Sequence, residues 1–221
     1  MKFHVTILLS ALVGLTLPSC MMTSSSSQEV VEQAALPEPP KPEFVNPFPP
    51  GTYDHFRAQP DYQKTYNIYR NNDLLSTMTK DSAQLVINLT DQRAQLLSDG
   101  QVALDYPVSS GKSSHPTPPG EYKILEKIVD KRSNAYGRIV DANGNVVNSD
   151  ADSRKDKVPP GGKFIGASMP YWMRMTWTGI GHHVGRVPRY PASHACIRGV
   201  KSIMPTVYSK VKIGTPVSVV R

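Results

Sequence analysis

The chain of 221 residues is short of several things, and each shortage excludes a class of protein. It has only two cysteines, Cys20 and Cys196, so a disulfide scaffold is ruled out, and a zinc site would have to draw mainly on histidine. Acidic residues stop at Asp156: from Val158 to Arg221 there is no Asp or Glu, while nine Lys or Arg occur. A carboxylate-based catalytic pair within that third of the chain is therefore excluded. The longest apolar run, Val5 to Leu17, is too short for a bilayer, which needs roughly 20 residues. No internal repeat is present. Nor is there a long helical periodicity; apolar residues come in short runs.

What is present in the acid-free third is concentrated. Gly179 to Gly199, GIGHHVGRVPRYPASHACIRG, holds three of the six histidines and one of the two cysteines. A thiol attacks as thiolate, and a free cysteine with a pKa of about 8.5 is mostly protonated at neutral pH. A nearby imidazole can take that proton, and a third group can orient the imidazole. Cys196 is the natural nucleophile, with His182, His183 and His194 as its possible proton partners. Four N/S donors in one stretch also admit a zinc site, but their spacing matches no common zinc motif. Adjacent histidines on a strand would moreover face opposite sides.

The same residues carry a resemblance. His183, followed by Pro191-Ala-Ser-His-Ala-Cys-Ile-Arg198, resembles the signature of the L,D-transpeptidases of YkuD type, which remodel peptidoglycan. Ser109-Ser-Gly111, Thr117-Pro-Pro-Gly120 and Gly214-Thr-Pro-Val217 extend the match, which covers Gln84 to Arg221. The resemblance implies Cys196 as nucleophile and His183 as general base, with its ring oriented by the Val184 carbonyl. It implies an oxyanion site built on the Ala195 and Cys196 amides. His194 would be a second proton-handling group or a brace. Ser193 would be a hydrogen-bonding bracket for the histidines, and Arg198 would meet a substrate carboxylate. Tyr171 is a further candidate, as a lining residue of the donor pocket. Two departures from the family pattern stand out: Ala195 replaces the usual glycine, and Val184 stands where glycine is frequent. A methyl at 195 is comfortable only at negative φ, so negative φ is the expectation there. Neither metal nor cofactor is implied.

The fold expected from turn and strand grammar is mostly β, and the resemblance makes it an L,D-transpeptidase-like sandwich or barrel with one or two short helices. Asp99-Gly100 reads as a hairpin turn, and so does Asn143-Gly144. Pro205 opens a helix that carries Val207, Tyr208 and Val211 on one face. His115 reads as an exposed loop residue.

Upstream, residues 1–19 read as a signal peptide. Leu17-Pro-Ser-Cys20 resembles a lipobox, which would place an acyl chain on Cys20. Residues 20–60 carry four consecutive serines and, between Pro37 and Pro60, eight prolines; this is the composition of an extended tether. Residues 61–83 read as an extension that packs on the catalytic domain, residues 84–221. The protein is thus expected to be exported and lipid-anchored, in the periplasm or at the outer face of a bacterial membrane. The net charge of +7 suits an anionic wall polymer, and export argues against nucleic acid as partner. The function implied is transfer of a tetrapeptide stem through a thioester, with an L,D-carboxypeptidase or a non-catalytic wall-binding lipoprotein as alternatives.

Overall fold

The computed structural model describes residues 43–221. The signal peptide, Cys20 and most of the expected tether lie outside the described residues.

Short alternating runs become strands, and tight turns set their register. In β2 (Ala83–Asn88), Ala83, Leu85 and Ile87 are buried while Gln84, Val86 and Asn88 lie on the half-exposed side. β3 (Arg93–Ser98) and β4 (Gln101–Ser109) are joined by Asp99-Gly100, both at positive φ, 47° and 79°. Those are the signs a twisted two-residue hairpin requires. β5 (Gly120–Lys123), β6 (Glu126–Ile128), β10 (Trp172–Arg174), β11 (Gly181–Val184), β12 (Ile197–Gly199) and β13 (Pro216–Val220) complete the main sheet. Its order is β5-β13-β2-β3-β4-β12-β11-β10-β6, and β1 (Tyr69–Arg70) adds to β4. β4 is the hinge of this path: Gln101 to Pro107 pair with β3, and Val108 and Ser109 pair with β12.

Both halves of the path feed one core. Leu85, Ile87, Leu96, Leu104 and Tyr106 meet Met173, Ile197, Met204 and Val207 in a single cluster. The mostly β architecture expected from the sequence is therefore present, with the sheet curled around its own apolar face. Each fully buried Ile or Leu there contributes roughly 1.5–3 kcal/mol. α3 (Met204–Lys210), with Pro205 in its first turn, closes the core through Met204 and Val207. Two further short helices, α1 (Tyr53–Arg57) and α2 (Asn72–Thr77), bring the number among the described residues to three, against the one or two expected.

α1 also moves a boundary. The tether was expected to run to Pro60, yet residues from 43 onward are described and Tyr53 to Arg70 dock on the domain. The cause is a buried ion pair, Arg93 to Asp105, at 2.5 Å. Tyr53 and Tyr62 hydroxyls both donate to the free Asp105 oxygen at 2.8 Å. The Arg93 guanidinium donates to the carbonyls of Tyr62, Thr65 and Asn67, and it lies over the Phe56 and Tyr62 rings. Proline content misled here because long-range polar partners, not local apolar burial, order the segment.

A second, three-stranded sheet, β8-β7-β9, is formed by β7 (Arg132–Val140), β8 (Val146–Asp152) and β9 (Lys163–Ser168). Asn143-Gly144 turns between β7 and β8 as expected, with the Asp141 carboxylate accepting the Asn143 and Asn145 amides.

Candidate active site

Strand alternation sorts the histidines. β11 runs parallel to β12 with His182 opposite Ile197 and His183 opposite Arg198. His182 and Ile197 face the core. His183, Cys196 and Arg198 face the other way and line one cavity of about 570 Å³. His182 is removed from the chemistry by its partners. The Tyr106 hydroxyl, whose pKa burial pushes up, donates to His182 Nε2 at 2.9 Å, so Nδ1 carries the proton and donates to the Ile197 carbonyl at 2.9 Å.

His183 Nδ1–H donates to the Val184 carbonyl at 2.7 Å, which leaves Nε2 as the basic nitrogen. Burial pushes this imidazole down to about 4, against a smaller upward pull from that carbonyl, so it is neutral at neutral pH. No Asp or Glu lines the cavity, and the backbone carbonyl takes the orienting role. Val184 itself is half-buried against the core, and its amide donates to the Pro170 carbonyl at 2.9 Å.

Cys196 is half-buried and free of any disulfide. Its thiol reaches the Gly179 carbonyl at 3.5 Å. Burial pushes the thiol pKa up, with the Gly181 amide and Arg198 only partly opposing. The resting pair is therefore a neutral thiol and a neutral imidazole.

Ser193 to Cys196 is held as a rigid loop. Ser193 Oγ donates to the Cys196 carbonyl at 2.5 Å and its amide to the Ser110 carbonyl at 3.0 Å. Ser193 thus brackets the Cys196 backbone rather than the histidines, because its short side chain reaches only three residues along the turn. Thr117 Oγ1 donates to the Ala195 carbonyl at 2.8 Å and accepts the Gly111 amide. The Thr-Pro-Pro-Gly turn is therefore a strut for the loop. Gly111 has no room for a side chain: a Cβ there would stand 2.8 Å from Ala195 Cα and 2.2 Å from the His115 carbonyl.

Ala195 contradicts the expectation of negative φ. Its φ is 73°, in the left-handed region. The surrounding bonds over-determine the conformation, and the methyl carries a cost of roughly 1–2 kcal/mol. Ala195→Gly should accordingly raise stability by up to about 1 kcal/mol, after glycine's own entropy cost, while Ala195→Val should lower it. Urea unfolding midpoints of the two variants check this; a loss with glycine would remove the strain argument. The Ala195 and Cys196 amides donate to no protein acceptor among the described residues.

Arg198 lies over the cavity floor with its stem across Gly185, where a Cβ would sit 2.8 Å from Arg198 Cγ. It forms no ion pair among the described residues. Burial lowers its pKa. His194 lines the cavity too, but its ring stacks on Tyr136 of β7 at 4.2 Å and 18° and meets His115 edge-on at 4.7 Å. Burial again lowers its pKa. His115, read as an exposed loop residue, is half-buried in this cluster. The Arg154 guanidinium also lies over the Tyr136 ring, 5.0 Å from its centroid, and donates to its hydroxyl at 2.9 Å.

Tyr171 is not part of the site. At φ 55° it turns the chain, and its ring packs edge-on against Tyr208 of α3 at 5.5 Å. Its neighbour Trp172 takes the cavity position instead, with its ring centroid 5.9 Å from that of His183. Missed by the sequence reading were Tyr136, Arg154 and Lys131, which come from the second sheet and have no local signal. Among the described residues there is no cluster of metal-ligating side chains.

A family model for YkuD, the L,D-transpeptidase catalytic domain, matches residues 82–219. The chain is similar in structure to an L,D-transpeptidase from Mycobacterium smegmatis (21% identity, 63% of this chain, 59% of that one, TM-score 0.48). It is also similar to L,D-transpeptidase 1 of Mycobacterium tuberculosis (23% identity, 63% and 62%, TM-score 0.45). A mutant Enterococcus faecium L,D-transpeptidase is similar at 28% identity, 62% and 49%, TM-score 0.44. The chain spans less than two thirds of the length of each. No curated protein matches it.

Proposed function

Because the chain belongs to the L,D-transpeptidase (YkuD) catalytic-domain family, with residues 82–219 matched, we propose that it transfers peptidoglycan tetrapeptide stems through a thioester on Cys196. The observation that carries this reading is His183: its Nδ1 is committed to the Val184 carbonyl, and its ring shares the cavity with Cys196. His183 Nε2 takes the Cys196 proton as Sγ attacks the carbonyl between the third stem residue and D-Ala. The amides of Ala195 and Cys196 receive the developing oxyanion, where each donor is worth about 3 kcal/mol. The tetrahedral species collapses, His183 returns the proton to the departing D-Ala amine, and a thioester remains. An amine from a second stem or a protein then attacks the thioester, its proton passes to His183, and the thiol is restored. Arg198, charged and without an ion-pair partner among the described residues, holds a donor carboxylate. His194 braces the loop and borders the path of the transferred proton.

The Leu17 to Cys20 sequence supports an exported, lipid-anchored enzyme acting on wall stems at a bacterial membrane face. Incubation of the full chain with a defined tetrapeptide and an acceptor amine tests the whole reading. Free D-Ala and a product joined to the acceptor are expected, with a thioester adduct visible by intact mass and absent in Cys196→Ala. A tripeptide without acceptor would make the site an L,D-carboxypeptidase; no D-Ala release would leave the non-catalytic reading. In the same preparation, labelled fatty acid should enter the wild type and not Cys20→Ser.

A further inference from the structure

Both tryptophans of the chain flank one guanidinium. Arg174 Cζ lies 5.6 Å from the Trp172 ring centroid and 5.3 Å from that of Trp177. Glu126 fixes the arrangement: its Oε1 accepts from Trp172 Nε1 at 3.1 Å and from Arg174 Nε at 3.2 Å. Trp172 is buried and, with Arg174, lines the catalytic cavity. Trp177 is 74% exposed, on the turn between β10 and β11. The stack therefore runs from the cavity wall out to solvent and ends on an uncovered indole.

The turn that presents this indole is built, not loose. Met175 and Thr176 amides donate to the Ile180 carbonyl at 2.8 and 3.1 Å, and the Gly179 amide to the Thr176 carbonyl at 3.2 Å. Thr176 Oγ1 accepts the Ile180 amide at 3.0 Å and meets the Thr178 hydroxyl at 2.9 Å. The same turn supplies the Gly179 carbonyl that meets the Cys196 thiol. A single exposed apolar residue is ordinary on a protein surface. This one differs because a cation pins one of its faces and its turn touches the nucleophile.

We propose that Trp177 is a saccharide subsite, stacking on a pyranose ring of the glycan that carries the donor stem. The argument rests on the transpeptidase reading above for the identity of the polymer. A pyranose presents a flat face of C–H bonds polarised by neighbouring oxygens, which complements the negative face of an indole. Its hydroxyls suit the indole N–H, which has no protein acceptor among the described residues. A second cation is a poorer occupant, since Arg174 already holds the opposite face of the same ring. Stems joined to glycan should therefore be preferred over free peptides.

Two measurements on the full chain decide this. Titration with a peptide-free wall disaccharide, followed by tryptophan fluorescence, should give a saturable change in the wild type and none in Trp177→Ala, where Trp172 remains as reporter. The ratio of kcat/KM for disaccharide-tetrapeptide over free tetrapeptide should be about tenfold in the wild type, near one in Trp177→Ala and intermediate in Trp177→Phe. Equal rates on both substrates, or a preference that survives in Trp177→Ala, would overturn the subsite while leaving the transpeptidase intact. If neither substrate is processed, the transpeptidase reading fails and the titration still decides whether sugar binds at Trp177.

Discussion

Replacing His183 with glutamine should slow acylation of Cys196 about a thousandfold at pH 7, the middle of the range for loss of a positioned general base. The effect is large because the thiol cannot supply its own thiolate. Burial has raised its pKa, and Arg198 and the Gly181 amide offset only part of that. The pH dependence separates this from a structural defect. In the wild type His183 is a base only while unprotonated, so the acylation rate should rise through a limb near pH 4 and stay flat across neutrality. An exposed histidine would place that limb near 6.5. In His183→Gln the limb should vanish, and the remaining rate should climb with pH as free thiolate accumulates. Single-turnover acylation by tetrapeptide or a carbapenem, read by intact mass, provides the profile. A wild-type limb near 6.5, or a glutamine variant as fast as wild type, would assign the base elsewhere.

The acid limb has to be measured on folded protein. Buried His182 and His183 both have pKa values pushed down to about 4 by desolvation. The unfolded chain binds those protons at about 6.5, so their contribution to stability is full above that value and is lost as pH falls toward 4. Unfolding midpoints at each pH, taken alongside the rates, keep the two effects apart.

How much of this was legible follows from how far each signal reaches along the chain. Cys196, His183 and the Val184 carbonyl lie within 14 positions; period-2 alternation puts His182 and His183 on opposite faces, and the family resemblance, not the alternation, chose His183. The Asp99-Gly100 hairpin and the Pro205 helix are local as well, and both were found where expected. Backbone sign was not legible: nothing in a sequence says that Ala195 and Tyr171 sit at φ 73° and 55°, and the first reverses an expectation. Partners from distant strands were equally hidden. Tyr136 reaches His194 across 58 positions, and its strand belongs to a separate sheet. The Ser/Pro-rich composition spoke for a tether through residue 60. It could not show that Tyr53 finds Asp105, 52 positions away.

That last contact makes Asp105 the most consequential single residue outside the catalytic cavity. Asp105→Ala should destabilise the protein by about 3–5 kcal/mol, the range for breaking a buried ion pair. Arg93 and Asp105 are 1% and 0% exposed, so removing the carboxylate leaves a guanidinium in the core with backbone carbonyls as its only polar partners. Tyr53 and Tyr62 lose their shared acceptor at the same time. Tyr62, pushed up to about 12 chiefly by burial and then by Asp105, stays protonated and becomes an unsatisfied buried donor. The damage should be directional. Tyr53 to Arg70 should open first, appearing as new protease cuts between α1 and β1 before the main sheet yields. The double variant Arg93→Met with Asp105→Leu separates the cost of an orphaned charge from the worth of the pair. It should recover much of the lost stability while still freeing the segment, because methionine offers no donors to the Thr65 and Asn67 carbonyls. Urea unfolding gives the first quantity and limited proteolysis the second. A double variant as unstable as Asp105→Ala would show that the tyrosine and carbonyl bonds, and not the buried charge, carry the energy.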